Sequence, residues 1–106
     1  MAKMNFDEFE KQVSKLCNKE IKSKDKRKRY QLGIIKNNRL PFLRPDRRKQ
    51  EDALKVESLD LKKLHNFYLS VDYNNPSTYT TTTARKHGLG GKQSPAVAVI
   101  LSLPKK

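Results

Sequence analysis

The sequence predicts a small α+β domain with about three helices and a short antiparallel sheet of two or three strands. In some stretches apolar residues recur at spacings of three and four, which is typical of amphipathic helices. Other stretches are rich in β-branched and aromatic residues and lie between turn residues, as strands do. The length of 106 residues fits one domain, and a hydrophobic content of 35% supports a modest core.

The first helix is predicted for residues 5–22, and residues 22–29 could either extend it as a charged face or form a flexible basic arm. Asn5 can cap its N-terminus, and Asp7 and Glu8 place negative charge in the first turn, where it suits the helix dipole. One face of this helix carries an apolar stripe, which favours a buried contact over a ligand site. The residues of the stripe are Phe6, Phe9, Val13, Leu16, Cys17 and Ile21.

Two further helices are predicted in the middle of the chain. Residues 46–57 can form a helix that begins at Asp46, directly after Pro45. Ser58 can cap a third helix over residues 59–71, because an apolar stripe follows it. That stripe, expected in the core, consists of Leu61, Leu64, Tyr68 and Val71, with Phe67 beside it.

The remaining segments are predicted to be strands and loops. Residues 30–35 favour a short strand, and Asn37, Asn38, Pro41 and Pro45 favour a loop over residues 37–45. Two more strands are predicted over residues 78–83 and 96–103, joined by a basic, glycine-rich loop over 85–92. This order of elements resembles that of a winged helix, in which the last two strands flank a basic wing.

Positive charge is concentrated in residues 22–49, which contain 12 of the 24 Lys and Arg residues and only two acids. A block of this charge density repels itself unless a polyanion neutralises it. With a sequence pI near 10.0, the candidate partners are nucleic acid, an anionic membrane surface and an acidic protein. Nucleic acid fits best, because Tyr30, Phe42 and arginine side chains that can stack on bases lie among the lysines.

We therefore predict a non-catalytic protein that binds the phosphate backbone of DNA or RNA, located in the cytoplasm or nucleoid, or in the nucleus of a eukaryote. A solvated basic surface without a partner is the alternative interpretation of the same charge. The sequence favours neither DNA over RNA nor a particular oligomeric state. The predicted contacts with phosphate come from Lys26, Arg27, Lys28, Arg29, Arg39, Arg44, Arg47, Arg48 and Lys49, with a second patch formed by Arg85, Lys86 and Lys92.

Other classes of site have little support in the sequence. One cysteine, Cys17, excludes an internal disulfide, and with two histidines and no tight acid cluster neither a metal nor another cofactor is predicted. His65 lies beside the apolar stripe of the third predicted helix, which favours a structural role for this histidine over that of a metal ligand. The longest apolar run, residues 96–101, is far shorter than the roughly 20 residues of a spanning helix. The N-terminus lacks the apolar segment of a secretory signal.

Two alternative functions remain open. His87, beside Arg85 and Lys86, could act as the general base of a small ribonuclease similar to RNA-cleaving toxins. The basic block could instead dock on an acidic protein or on a nucleoprotein assembly. The glycines from Gly88 to Gly91 could let a backbone approach a phosphate, although the loop lacks the Gly-Lys-Ser/Thr ending of a P-loop.

The C-terminal part of the chain resembles the tail of insertion-sequence transposases of the DDE integrase type. The resemblance rests on Tyr73-Asn74, on Arg85-Lys86-His87 and on the run Leu89-Gly90-Gly91-Lys92-Gln93-Ser94-Pro95-Ala96. Upstream, Asn37-Asn38 corresponds to an Asn pair that precedes the last catalytic acid in that family. Pro41 stands where this acid would be, so the resemblance implies a DNA-binding remnant without catalysis.

Overall fold

A computed structural model describes residues 3–23, 26–45 and 55–103. Its elements confirm the α+β class, with an antiparallel sheet of four strands in the order β1-β2-β3-β4. In chain order they are α1 (Phe6–Ser14), β1 (Glu20–Lys22), β2 (Arg29–Leu32), β3 (Arg39–Leu43), β4 (Glu57–Asp60), α2 (Leu61–Ser70), a 3-10 turn (Pro76–Thr78), α3 (Thr81–Lys86) and α4 (Gln93–Ser102).

The helix α1 is shorter than the sequence predicts. Asn5 does cap it, with its side-chain oxygen 2.8 Å from the N–H of Glu8. After Ser14 the chain turns, and Asn18 adopts a left-handed backbone with φ of 63°. The N–H of Asn18 donates to the carbonyl of Leu32 at 3.0 Å, so pairing with the sheet replaces further helix. Ile21, predicted to lie on the helix, is buried in β1 instead.

A tight hairpin joins β2 to β3 at the predicted turn. Asn37 and Asn38 have φ values of 55° and 60°, as a two-residue type I′ turn requires. Lys36 and Arg39 exchange backbone hydrogen bonds of 3.0 Å across it. The predicted turn is therefore confirmed.

The predicted loop over residues 37–45 is wrong, because Arg39–Leu43 forms β3 and pairs with both neighbouring strands. Pro41 is tolerated there because its missing N–H falls where the ladder with β2 is interrupted. The N–H of Gly33 donates to the carbonyl of Pro41 at 2.8 Å, and residues 33–35 then leave the strand. A proline in a strand is compatible with such an irregularity in the pairing.

Gly33→Ala is expected to lower the free energy of unfolding by about 1–3 kcal/mol through overpacking. A Cβ at residue 33 would lie 2.9 Å from Cγ of Pro41, whose ring cannot rotate away. Gly90→Ala is the control, since a Cβ there meets no atom within 4 Å. Urea unfolding of both variants measures the difference, and equal losses would contradict this account of β2 and β3.

One face of the sheet packs against the helices to form the hydrophobic core. Alternate residues of β2 and β3 are buried, as expected for strands with one face on the core, and Leu59 is the buried residue of β4. The predicted stripe along α2 and its C-cap Val71 is confirmed, because its four residues and the neighbouring Phe67 are each at most 3% exposed. The buried sheet residues are Ile21, Tyr30, Leu32, Leu40, Phe42 and Leu59. The prediction that Tyr30 and Phe42 can stack on bases is therefore wrong, because each is only 1% exposed.

The region around the start of α2 differs from the prediction. Residues 46–54 of the second predicted helix lie outside the described residues, and Glu57, its last residue, begins β4. Asp60, and not Ser58, caps α2. Its carboxylate accepts from the N–H groups of Lys62 at 2.9 Å and Lys63 at 3.2 Å.

Both predicted C-terminal strands are wrong, so the order of elements that resembled a winged helix is not observed. Thr80 and Thr83 form a reciprocal capping box that begins α3 where β-branched residues had suggested a strand. The apolar run from Ala96 to Ile100 is buried on every side within α4. A helix of that kind lacks amphipathic periodicity, so its sequence resembles that of a buried strand.

His65 has the structural position that was predicted. Its Nε2 lies 3.0 Å from the carbonyl oxygen of Met4, and its ring packs 5.0 Å from that of Phe9.

Within the described ranges, no helix combines the length and the apolar character that crossing a bilayer requires.

Candidate nucleic-acid interface

The connection between β1 and β2 presents exposed positive charge. We call Lys26, Arg27 and Lys28 the hairpin cluster; all three are exposed. Buried Ser23 anchors this turn, because its N–H donates to the carbonyl of Lys28 at 2.8 Å and its carbonyl accepts from Lys26 at 2.8 Å. Its hydroxyl also accepts from the N–H of Lys28 at 3.2 Å. Ser23 thus holds the backbone of Lys26 and Lys28, and all three residues of the cluster are exposed.

Arg29, the next predicted contact, forms an ion pair with Glu20 on β1. Its Nη1 lies 3.2 Å from Oε1 of Glu20, and the two side chains are 48% and 42% exposed. Ion pairs this exposed contribute about 0–1 kcal/mol, because water screens both charges. A phosphate can compete with such a pair, so Arg29 extends the hairpin cluster along β2.

Arg44 has a structural role that the sequence did not reveal. Its guanidinium binds Glu57 with two contacts, of 2.6 Å from Nε and 3.3 Å from Nη2, and its side chain is only 13% exposed. Nη2 also donates to the carbonyl of Gly91 at 3.1 Å. Arg44 therefore ties the end of β3 to β4 and to the glycine loop, and Glu57 already neutralises its charge.

A second group of basic residues surrounds a small cleft of about 100 Å³ beside β3 and β4. Arg39 enters it from β3, where its Nε donates to Oγ of Ser58 at 2.8 Å and its Nη1 lies 4.0 Å from Oδ2 of Asp60. The side chain of Arg39 is half exposed. We call this site the basic cleft; its lining residues are Arg39, Ser58, Asp60, Lys63, Gly88, Leu89, Gly90 and Lys92.

The predicted second patch is divided between two places. Lys92 lies in the basic cleft with Arg39, although the two residues are far apart in the sequence. Arg85 and Lys86 are exposed in the last turn of α3, where positive charge suits the helix dipole. Lys63 also lines the basic cleft, although the sequence did not predict it as a contact. Its position near Arg39 depends on the pairing of β3 with β4 directly before α2.

The glycine loop between α3 and α4 forms one side of the basic cleft. Gly88 and Gly91 adopt φ values of 81° and 78°, which other residues rarely adopt. His87 ends α3, and its half-buried ring packs 5.8 Å from that of Phe67. This packing favours a structural position for His87 over that of a general base.

The predicted contacts Arg47, Arg48 and Lys49 lie outside the described residues. In the parts of the chain that the structure describes, no three His, Cys, Asp or Glu residues are grouped so that they could hold a metal ion.

Comparisons of the chain with models of protein families, with curated proteins and with solved structures each found no significant match. The resemblance of the C-terminal part to transposase tails therefore stays a prediction.

Proposed function

We propose that the protein binds DNA or RNA through the phosphate backbone and catalyses no reaction. The observation that carries this proposal is the hairpin cluster, in which three successive basic side chains are exposed on a turn anchored by Ser23. The anchored turn keeps three adjacent cations on one exposed segment, which suits contact with neighbouring phosphates along a strand. The cytoplasm or nucleoid, or a eukaryotic nucleus, is where such a ligand is found.

The charge of the whole chain supports this partner over a small acidic ligand. The formal net charge is +13 at pH 7. Association of so basic a protein with a polyanion releases counterions, which is the main source of sequence-independent affinity for nucleic acid. The proposed contacts are the hairpin cluster, Arg29, Arg39, Lys92, Arg85, Lys86 and the three residues Arg47, Arg48 and Lys49; Arg44 is omitted because Glu57 neutralises it.

The experiment that tests the function compares nucleic acid with an acidic polypeptide. Fluorescence anisotropy would measure binding to duplex DNA, single-stranded DNA and RNA of equal length, and to polyglutamate with the same number of charges. We expect at least one nucleic acid to bind more tightly than polyglutamate. We also expect the protein to leave the RNA uncleaved. Tighter binding of polyglutamate would favour an acidic protein partner. RNA cleavage that His87→Ala abolishes would favour the ribonuclease.

A further inference from the structure

The basic cleft brings together three cations from three different parts of the fold. Arg39 comes from β3, Lys63 from α2 and Lys92 from the loop before α4. One carboxylate, that of Asp60, lies among them. With three cationic side chains and one carboxylate, the cleft therefore has a formal charge of +2.

Two of these four charged groups are held in place by the protein. Arg39 is fixed by its 2.8 Å hydrogen bond to Oγ of Ser58 and by the nearby Asp60. Asp60 in turn accepts the first N–H groups of α2, so part of its negative charge is compensated by the helix. The hydroxyl of Ser58 accepts from Arg39, and this leaves its own hydrogen free to be donated into the cleft.

Lys63 and Lys92 have no ion pair with any residue that the structure describes. The side chain of Lys63 passes over Gly88, where an added Cβ would lie 3.2 Å from its Cδ and 3.6 Å from its Nζ. Gly90 borders open space. Its N–H has no hydrogen-bond partner among residues 3–23, 26–45 and 55–103. The residues that line the cleft thus include these two lysines, one arginine, Ser58 and Gly90.

The charge and size of the cleft indicate which phosphate it would bind. An internal phosphodiester carries one negative charge, whereas a phosphate monoester carries about 1.5 to 2 at pH 7. The latter matches the charge of about +2 in the cleft. A cleft of about 100 Å³ has room for a single oxyanion.

We propose that the basic cleft binds the terminal phosphate monoester of a nucleic acid strand. This inference rests on the proposed function and deepens it: Arg39 and Lys92 would contact the terminal phosphate, while the hairpin cluster and the proposed contacts outside the cleft hold the strand. The end of a strand would then bind more tightly than its interior. Lys63 and Lys92 provide most of the selectivity for the end, since Asp60 already offsets part of the charge of Arg39.

The test uses three oligonucleotides of one sequence, with a 5′-phosphate, with a 3′-phosphate and with no terminal phosphate. We expect one phosphorylated form to bind about tenfold more tightly than the unphosphorylated form, as expected for a few charge-assisted hydrogen bonds. Lys63→Gln and Lys92→Gln should each remove most of this gain. Lys62→Gln, an exposed neighbour on α2 outside the cleft, is the control and should retain it.

Equal affinity for the three oligonucleotides would overturn the inference while leaving the proposed function in place. A gain that persists in both Lys63→Gln and Lys92→Gln would also overturn it. If no oligonucleotide binds, the proposed function fails, and titration with inorganic phosphate then tests the cleft alone. A phosphate-dependent shift of the Gly90 amide resonance would support a site for a small phosphate monoester, and its absence would overturn the cleft as a phosphate site.

Discussion

Replacing Lys26 and Lys28 together by glutamate is expected to weaken binding to nucleic acid by about 100-fold. Each lysine that contacts a phosphate contributes about one released counterion, so the slope of log K against log salt should fall by about two. Each glutamate also repels the phosphates, in addition to removing the attraction between lysine and phosphate. Both residues are exposed on the turn that Ser23 anchors, so the substitutions should leave the fold intact.

A matched control separates contact from net charge. Lys11 and Lys15 lie at the end of α1, both exposed, and their replacement by glutamate changes the charge by the same amount. If the hairpin cluster touches phosphate, this control should weaken binding by about threefold or less, through long-range electrostatics alone. Equal weakening by the two double variants would show that overall charge, and not the hairpin cluster, governs binding.

Glu57→Ala is expected to lower the free energy of unfolding by about 2–3 kcal/mol. The side chain of Arg44 is 13% exposed and its guanidinium binds Glu57 through two contacts, so removing Glu57 leaves a largely buried charge without its carboxylate. The remaining bond from Arg44 to the carbonyl of Gly91 compensates only part of this loss.

Glu20→Ala provides the comparison for an exposed pair of the same kind. Glu20 and its partner Arg29 are each more than 40% exposed, so its removal should cost about 0–1 kcal/mol. Urea unfolding monitored by circular dichroism measures both variants. If the two losses were equal, Arg44 would not be the structural residue that its burial indicates, and it would return to the set of phosphate contacts.

The sequence predicted those elements whose local signals agree with the packing. The stripe of α2, the cap at Asn5 and the turn at Asn37-Asn38 each follow from a pattern of nearby residues. The core position of Phe67 follows in the same way.

The segments that were predicted wrongly are those where tertiary contacts override local preference. Pro41 argued for a loop, but its missing N–H falls where β2 and β3 already separate. Residues 78–83 are β-branched, yet the capping box of Thr80 and Thr83 begins a helix. The run from Ala96 to Ile100 is buried on all sides, and periodicity alone cannot assign such a run to a helix or a strand.

In the candidate site, too, some features follow from the local sequence and others depend on tertiary contacts. The exposed positions of Lys26, Arg27 and Lys28 follow from charge density within a short segment. The neutralisation of Arg44 by Glu57 depends instead on the pairing of β3 with β4. The position of Lys63 in the basic cleft depends on the same pairing and on the path of the glycine loop.

The most direct test of backbone binding is the salt dependence of the affinity for duplex DNA, single-stranded DNA and RNA. Between about 50 and 200 mM salt, neutralisation of six or more phosphates should lower the affinity for the preferred ligand by about 10³-fold or more. A steep linear fall of log K with log salt would support contacts with phosphates as the source of affinity. A flat response, or no binding to any of the three, would contradict the proposed function and favour an acidic protein as the partner.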